Sequence, residues 1–461
     1  MKQPDYHAVL GTAHLYLKHY PEAKVELEKA LKGLNQRRLE IYQNLLVACD
    51  NLGDVHAYAN AVARLCIEFP QSPQCLIGKA KALTNAGQYD QALSHIKECA
   101  SQQALATISR CLKDDVADGV KPKPSSLTLF DRQLLEIAFI ALNDGNHLLA
   151  ATRLISQLQQ IFPEVPQLLA NMAIVELKQR NYREGFKNFQ HRPTRPFGIT
   201  PELEERAWTR AKHLQHIQVV AEQGLGDTLQ FARYLFGLNK IIPNVKFCPQ
   251  DPLQALYRAI DVPFTMAYPN ELEPKVPTVA LMSLPYLMGE DGSTIRKNAT
   301  YLRPKTQQRR RGIGLVWKGN QRYSNDLNRS VQLSNIIGII APLRPVIIQQ
   351  DTTPDEDQIL RAAKLEPRPL KNFAETQALL GTLEGVITVD TSVAHLSGSM
   401  GITTVIVLPH NSDWRWHDDQ YVSRWYDTVY LVRRQASDRT GAKAFAQASM
   451  LMQELLQSQQ L

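Results

Sequence analysis

A helix-turn-helix pattern recurs through the first 195 residues, and no other feature constrains the fold of this chain so strongly. Aligned on the turn, the copies read His19-Tyr20-Pro21-Glu22-Ala23, Gly53-Asp54-Val55, Gly87-Gln88-Tyr89-Asp90-Gln91-Ala92, Gly145-Asn146-His147-Leu148-Leu149-Ala150 and Asn181-Tyr182-Arg183-Glu184-Gly185. Tyr20 and Val55 are 35 residues apart, and Val55 and Tyr89 are 34 apart. A single helix pair of this length cannot bury its apolar face, so the copies must stack. Between the third and fourth copies the spacing grows to 58. The stretch Asp114 to Ser126, with Gly119, Pro122 and Pro124, predicts a loop or capping change there rather than another helix.

The period, with a glycine at the turn, an aromatic residue two positions on and a small residue three further, resembles the tetratricopeptide repeat. Gly11 and Ala80 on first helices, and Ala23, Ala92 and Ala150 on second helices, let paired helices approach closely. Pro70 falls where a second helix should stop. The prediction is an α-solenoid over residues 1–195 whose concave face holds an extended peptide or a protein partner. The alternative is a solenoid that only scaffolds the second half.

The 461 residues suffice for two or three domains, and 44% hydrophobic with 21% charged residues is the balance of a globular chain. Met1 to Tyr20 mixes Lys2, Asp5, His7 and Lys18 among its apolar residues, unlike a signal peptide. No later segment reaches the roughly 18 apolar residues a membrane span needs. The six cysteines, Cys49, Cys66, Cys75, Cys99, Cys111 and Cys248, form no C-x-x-C pair and read as buried thiols of a reducing compartment. The expected localisation is cytoplasmic. The formal charge of +7 is modest, and the run Arg309-Arg310-Arg311 lacks interleaved aromatics, so a solvated linker is expected and nucleic-acid binding is not.

From Ile217 onward short β-branched runs alternate with helical stretches, the pattern of parallel α/β layers. The predicted strands are Ile217 to Ala221, Val245 to Cys248, Thr278 to Met282, Ile313 to Trp317, Pro345 to Gln350, Val386 to Asp390, Thr403 to Leu408 and Thr428 to Val432. Pro304 and the arginine run interrupt the pattern near Tyr301 to Arg311. The reading is α + α/β, with two Rossmann-like halves at 196–305 and 306–461 and a ligand cleft at their strand ends.

Three strand-to-loop junctions carry candidate chemistry. In Glu222-Gln223-Gly224-Leu225-Gly226-Asp227 a strand ends in a glycine turn that opens a helix. It lacks the third glycine of a dinucleotide fingerprint, so no nicotinamide site is expected. Asp227 either caps that helix or presents a carboxylate over the cleft. In Val316-Trp317-Lys318-Gly319-Asn320 a lysine leaves a strand end, placed to meet phosphate oxygens or simply solvated. In Val389-Asp390-Thr391-Ser392-Val393-Ala394-His395 a buried strand runs into a helix start whose N–H groups and hydroxyls suit an anion. His395 reads equally as a core histidine.

Together with Tyr182-Arg183-Glu184-Gly185-Phe186, Met282-Ser283-Leu284-Pro285 and Asp413-Trp414-Arg415-Trp416, these stretches resemble the tetratricopeptide-repeat-containing bacterial glycosyltransferases. That group is similar to heptosyltransferases and, more distantly, to O-linked N-acetylglucosamine transferase. The resemblance implies a GT-B arrangement, with the acceptor and base in the first half and a nucleotide sugar in the second. It implies Asp227 as catalytic base, Lys318 as phosphate ligand, and Asp390 with Thr391 beside the donor, with Ser392 and His395 near them. Glu222, Gln223, Gly224 and Gly226 form the supporting loop. The sequence departs from the group at Asn372-Phe373-Ala374-Glu375-Thr376, where Asp-Phe-Ala-Asp-Thr is usual, and at Arg424, where proline is usual.

Asp355-Glu356-Asp357 matches an Asp-x-Asp metal motif, but it follows Pro354 at a predicted helix start, where acidic residues favour the dipole. No cofactor and no essential metal are expected. The expected activity is sugar transfer to Ser or Thr hydroxyls of a protein held by the repeats, with flagellin the specific acceptor. The donor is a nucleotide sugar, such as a CMP-activated nonulosonic acid of the pseudaminic type, or a UDP- or ADP-sugar. The alternatives are a heptosyltransferase acting on lipopolysaccharide or another glycan, and a non-catalytic repeat adaptor.

Overall fold

Five left-handed backbone positions, Lys18, Gly53, Gly87, Asn146 and Arg180, each lie two residues before the second helix of a pair. In the computed structural model, which describes residues 3–33, 38–112, 127–193, 199–295, 300–303, 311–320, 326–416, 421–435 and 437–458, they mark the repeat. The pairs are α1 (Gln3–Tyr16) with α2 (Tyr20–Gly33), α3 (Leu39–Leu52) with α4 (Val55–Glu68), and α5 (Pro73–Asn85) with α6 (Tyr89–Cys99). After a single helix α7 (Gln102–Cys111) come α8 (Leu129–Asp144) with α9 (Leu148–Ile161), and α10 (Pro166–Lys178) with α11 (Tyr182–Asn188). The segment Asp114 to Ser126 lies outside the described residues.

Small residues set the spacing as expected. A Cβ on Gly11 would lie 2.7 Å from Leu27 Cγ, and Ala23, Ala80 and Ala92 are fully buried. In the fourth pair the sequence alignment is one residue out. Asn146, with φ +66°, takes the left-handed position that Gly87 takes in the third pair, so α9 begins at Leu148. The buried small residue is therefore Ala151 and not Ala150.

The cysteine expectation is also corrected. Cys66 on α4 and Cys75 on α5 are joined by a disulfide across the turn at Pro70, with Cα atoms 5.2 Å apart. Their separation of nine residues hides the pairing from spacing rules, because the turn folds the chain back on itself. Cys49, Cys99, Cys111 and Cys248 are free thiols. Among the described residues no helix is long and apolar enough to cross a membrane.

The chain forms two compact units, residues 1–168 with 320–328, and residues 169–319 with 329–461. The division falls inside α10 rather than near residue 195, because the last pair packs on the α/β core. Tyr182 and Phe186 of α11 share a cluster with Phe231 and Trp414.

Within the second unit, α12 (Pro201–Leu214) leads into a four-stranded parallel sheet. Its strands are β1 (His216–Val220), β2 (Asn244–Cys248), β3 (Thr265–Met266) and β4 (Thr278–Ala280), in spatial order β3-β2-β1-β4. Helices α13 (Leu225–Leu238) and α14 (Asp251–Ala259) follow β1 and β2, and the short α15 (Leu284–Leu287) follows β4. The second sheet holds β5 (Ile313–Val316), β6 (Val346–Ile347), β7 (Gly385–Val389), β8 (Thr403–Leu408) and β9 (Val429–Arg433). It is parallel throughout, in order β6-β5-β7-β8-β9. Its helices are α17 (Leu333–Ile340), α18 (Pro354–Ala362), α19 (Phe373–Leu380), α20 (Ser392–Ser399) and α21 (Ala442–Ser458), and of the short α16 (Asp326–Arg329) only Arg329 belongs to this unit.

All eight predicted strands are present, with ends within a residue of those predicted except at the carboxyl ends of β4 and β6, which stop earlier, and β3 is additional. At two residues β3 is too short to carry a period. Strands β7 and β8 are buried along their whole length, which is why they read as continuous β-branched runs. Both sheets change direction at a switch point, beside β1 in the first and between β5 and β7 in the second. Crevices outside the carboxyl ends of strands at such points are where ligands of open parallel sheets bind.

Candidate functional site

Each of the three singled-out junctions lies at one of these switch points. Beyond β1, Glu222 turns inward and Gln223 takes a left-handed conformation, φ +59°. Gln250 holds the exposed turn, its Nε2 donating to the Gln223 carbonyl at 3.3 Å. Gly224 is the N-cap of α13, and Asp227 Oδ2 accepts from its N–H at 2.8 Å. Asp227 therefore does cap the helix, but with only one of its two oxygens.

The other oxygen, Oδ1, accepts from Nη2 of Arg415, which lies in a turn after β8 in the other half. Arg415 is fixed from every side. Its Nε donates to Gln230 Oε1 at 2.7 Å, and its Nη1 and backbone N–H donate to Asp413 Oδ1 at 2.8 and 3.0 Å. The guanidinium lies 4.5 Å from the centre of the Trp414 ring. Burial raises the Asp227 carboxyl above its usual value, against the pull of Arg415 and of the Gly224 N–H. For Asp413 burial acts the same way but is outweighed by Arg415, leaving this carboxyl below the usual range.

The N-terminus of α20 meets that of α13. A Cβ on Gly226 would fall 3.0 Å from His395 Cδ2 and 3.6 Å from Ser392 Cα, so only glycine lets the two helix starts come this close. Burial and the charge of Arg415 push His395 down to about 3, so the ring is neutral at physiological pH. It stacks on Trp416, with centroids 5.2 Å apart, and its Nδ1 lies 3.0 Å from the Tyr426 hydroxyl. Thr391, the N-cap of α20, has its hydroxyl 3.1 Å from that of Thr388. Asp390 is pushed up to about 6 by burial and by neighbouring Asp413, against Arg329. Arg329 Nη1 donates to the Asp390 carbonyl at 2.9 Å, and its guanidinium occupies the space a Cβ on Gly319 would need.

Asp227, Gly224, Gly226, Asp390, Thr391, Ser392 and His395 thus come together. Lys318 and Glu222 are engaged elsewhere. Lys318 Nζ donates to Glu356 Oε2 at 2.6 Å, in a pair whose side chains are 7% and 14% exposed. Glu356 also accepts from Trp317 Nε1 at 2.8 Å and closes a capping box with Thr353, so the Asp355-Glu356-Asp357 stretch does start a helix. Glu222 forms a buried two-point pair with Arg192, at 2.5 and 2.9 Å, which holds the loop from beneath. Asn372, where the resembling group carries aspartate, caps α19 through Ala374 and Glu375 N–H at 3.0 and 3.1 Å. It keeps the cap and drops the charge.

Sequence reasoning did not pick out Arg415, Asp413, Arg329 or Tyr426 as site residues. Asp413 to Trp416 carried a signal only as one of the stretches of the resemblance, with no role attached. Nothing in one sequence assigns it to Asp227, 188 residues away.

No family model matches the chain, and no curated protein matches it. Similar solved structures include the iron-containing dodecameric glycosyltransferase TibC from enterotoxigenic E. coli H10407, at 14% identity and TM-score 0.37, covering 53% of this chain and 77% of that one. E. coli heptosyltransferase WaaC matches at 11% identity and TM-score 0.33, covering 52% of this chain and 99% of its own. Thermobaculum terrenum O-GlcNAc transferase covers 92% of this chain and 94% of its own, at 10% identity and TM-score 0.32. Likenesses this distant carry no argument about activity. The functional reading rests on the geometry of this chain.

Proposed function

We propose that this chain is a glycosyltransferase of the GT-B kind, moving a sugar from a nucleotide donor to a Ser or Thr hydroxyl of a protein. The observation that carries the reading is the meeting of α13 and α20, each starting at the switch point of its own sheet, with Asp227 held between them. One half offers a carboxylate for a hydroxyl proton. The other offers a helix start, the Thr391 and Ser392 hydroxyls and Arg329 for a departing phosphate.

In this reading Asp227 Oδ2 or Oδ1 takes the acceptor proton as the hydroxyl oxygen attacks the anomeric carbon and the nucleotide phosphate leaves. The leaving charge is met by the N–H groups of α20 and by Arg329, and no metal is assigned a part. Lys318 joins them only by exchanging Glu356 for phosphate. The neutral His395 adds no charge and supports the junction through Tyr426 and Trp416.

The repeats supply the acceptor, because a concave face of several helix pairs grips a polypeptide, while a sugar needs only a cleft. We take flagellin as the acceptor and a CMP-activated nonulosonic acid as the donor to test first, with UDP- and ADP-sugars beside it. The reaction is placed in the cytoplasm because it uses a nucleotide sugar, and not on the strength of the cysteines.

The test is intact-mass analysis of flagellin from cells carrying the wild-type protein, Asp227→Asn, or none. Asparagine can still accept from the Gly224 N–H, so the helix start survives the substitution. The added mass should be present with wild type, absent without the protein, and reduced by about 10²- to 10⁴-fold in rate with Asp227→Asn. Unchanged flagellin mass in all three strains would remove flagellin as acceptor, and a fully active Asp227→Asn would remove Asp227 as base.

A further inference from the structure

Arg415 presents three separate N–H groups to three separate acceptors: Nε to Gln230, Nη1 to Asp413 and Nη2 to Asp227. Only a planar guanidinium offers that fork. Its backbone carbonyl is held as well, by Trp425 Nε1 at 2.8 Å. Gln230, on α13, turns its oxygen to Arg415 although its own Nε2 then has no acceptor among the described residues. A buried amide adopts such an orientation when the oxygen contact decides it. Two of the acceptors, Asp227 and Gln230, belong to the first half, and the third, Asp413, to the second.

We propose that Arg415 is the positioning residue for the Asp227 base, pairing with the carboxylate and aiming it from the opposite half, so that the base is competent only where the two halves meet. The inference rests on the reading of Asp227 as base.

The electrostatics support the geometry. Asp227 is faced by Arg415 and Asp413 from the turn after β8 and by Arg329 at the end of α16, while His395 lies against the neighbouring Gly226. Burial favours the protonated acid, which cannot accept a proton. His395 is neutral and Asp413 works against ionisation, so the arginines oppose protonation, with Arg415 in direct contact. Arg415 itself stays cationic, as Asp413 and Asp227 together outweigh its burial.

The test follows the carboxyl directly, by ¹³C NMR titration of the full chain labelled at aspartate Cγ, with Asp227→Asn assigning the resonance. In Arg415→Met the Asp227 midpoint should rise by about one pH unit or more, the size of a single contacting opposite charge. An unchanged midpoint in a folded Arg415→Met overturns the proposal. Arg415→Lys keeps the charge and loses the fork. It should leave the midpoint within a few tenths of wild type and slow transfer to flagellin by about tenfold, as a misaligned base does. A wild-type rate in Arg415→Lys rejects the aiming role, and this variant decides the matter if Arg415→Met does not fold. A raised midpoint together with a fully active Asp227→Asn would instead leave Arg415 as holder of the carboxylate and strike only the base reading.

Discussion

Gly226 and His395 touch across the two parallel sheets, and the missing Cβ of one leaves the room that the ring of the other takes up. The ring cannot yield easily, being stacked on Trp416 and held by Tyr426. Gly226→Ala should therefore push the starts of α13 and α20 apart, at a cost of about 1–3 kcal/mol for overpacking. Urea unfolding of the variant measures the loss, and transfer should fall further than stability alone explains. Wild-type stability and rate would mean that the helices simply shift.

Asp390 makes a pH prediction of definite sign. Its folded-state value of about 6 lies above the ordinary 3.8, so the folded form binds more protons than the unfolded chain between these values. Stability from this group is full below about pH 4, declines up to about pH 6, and is flat above. Asp390→Asn should be more stable than wild type at pH 7.5 and indistinguishable from it at pH 4. His395 slopes the other way, its value of about 3 lying below the ordinary 6.5, so it favours the fold more as pH rises to about 6.5. It is common to both proteins and cancels in the difference. Denaturation at the two pH values checks the sign.

The Cys66–Cys75 bond closes a short loop between neighbouring repeats. By chain entropy it should stabilise the solenoid by about 2–3 kcal/mol. Alkylation of the unreduced, denatured chain should label four cysteines, and reduction before labelling should raise this to six. The double substitution Cys66→Ser, Cys75→Ser should lower the unfolding midpoint of the repeats, and labelling of all six without reduction would show that the bond does not form.

Lys318 and Glu356 form a largely buried pair, and removing one partner strands the other charge. Lys318→Met should cost about 3 kcal/mol, with most of it regained in Lys318→Met, Glu356→Gln. Burial would raise Glu356, but Lys318 and the cap hold it below the usual carboxylate range, so the pair should weaken as pH falls through that range. Calorimetric titration with CMP, UDP and ADP separates the roles: a variant that is destabilised yet binds nucleotide as wild type does places Lys318 in the scaffold.

What could be read from the sequence was local. The turns at Gly53 and Gly87, the strands buried on both faces, and the loops at Asp227, Lys318 and Asp390 each write their signal within a dozen residues, because helix and strand periods and capping preferences act over that range. The one-residue slip at Asn146 shows the limit, since asparagine and glycine both accept a left-handed turn and only packing chooses between them. Tertiary structure alone decided who meets whom. It gave Lys318 to Glu356, closed Cys66 on Cys75, and brought Arg415 to Asp227 across 188 residues of chain. Charge pairing carries no sequence period. It depends on distance and burial, which exist only once both sheets have folded and their switch points have come together.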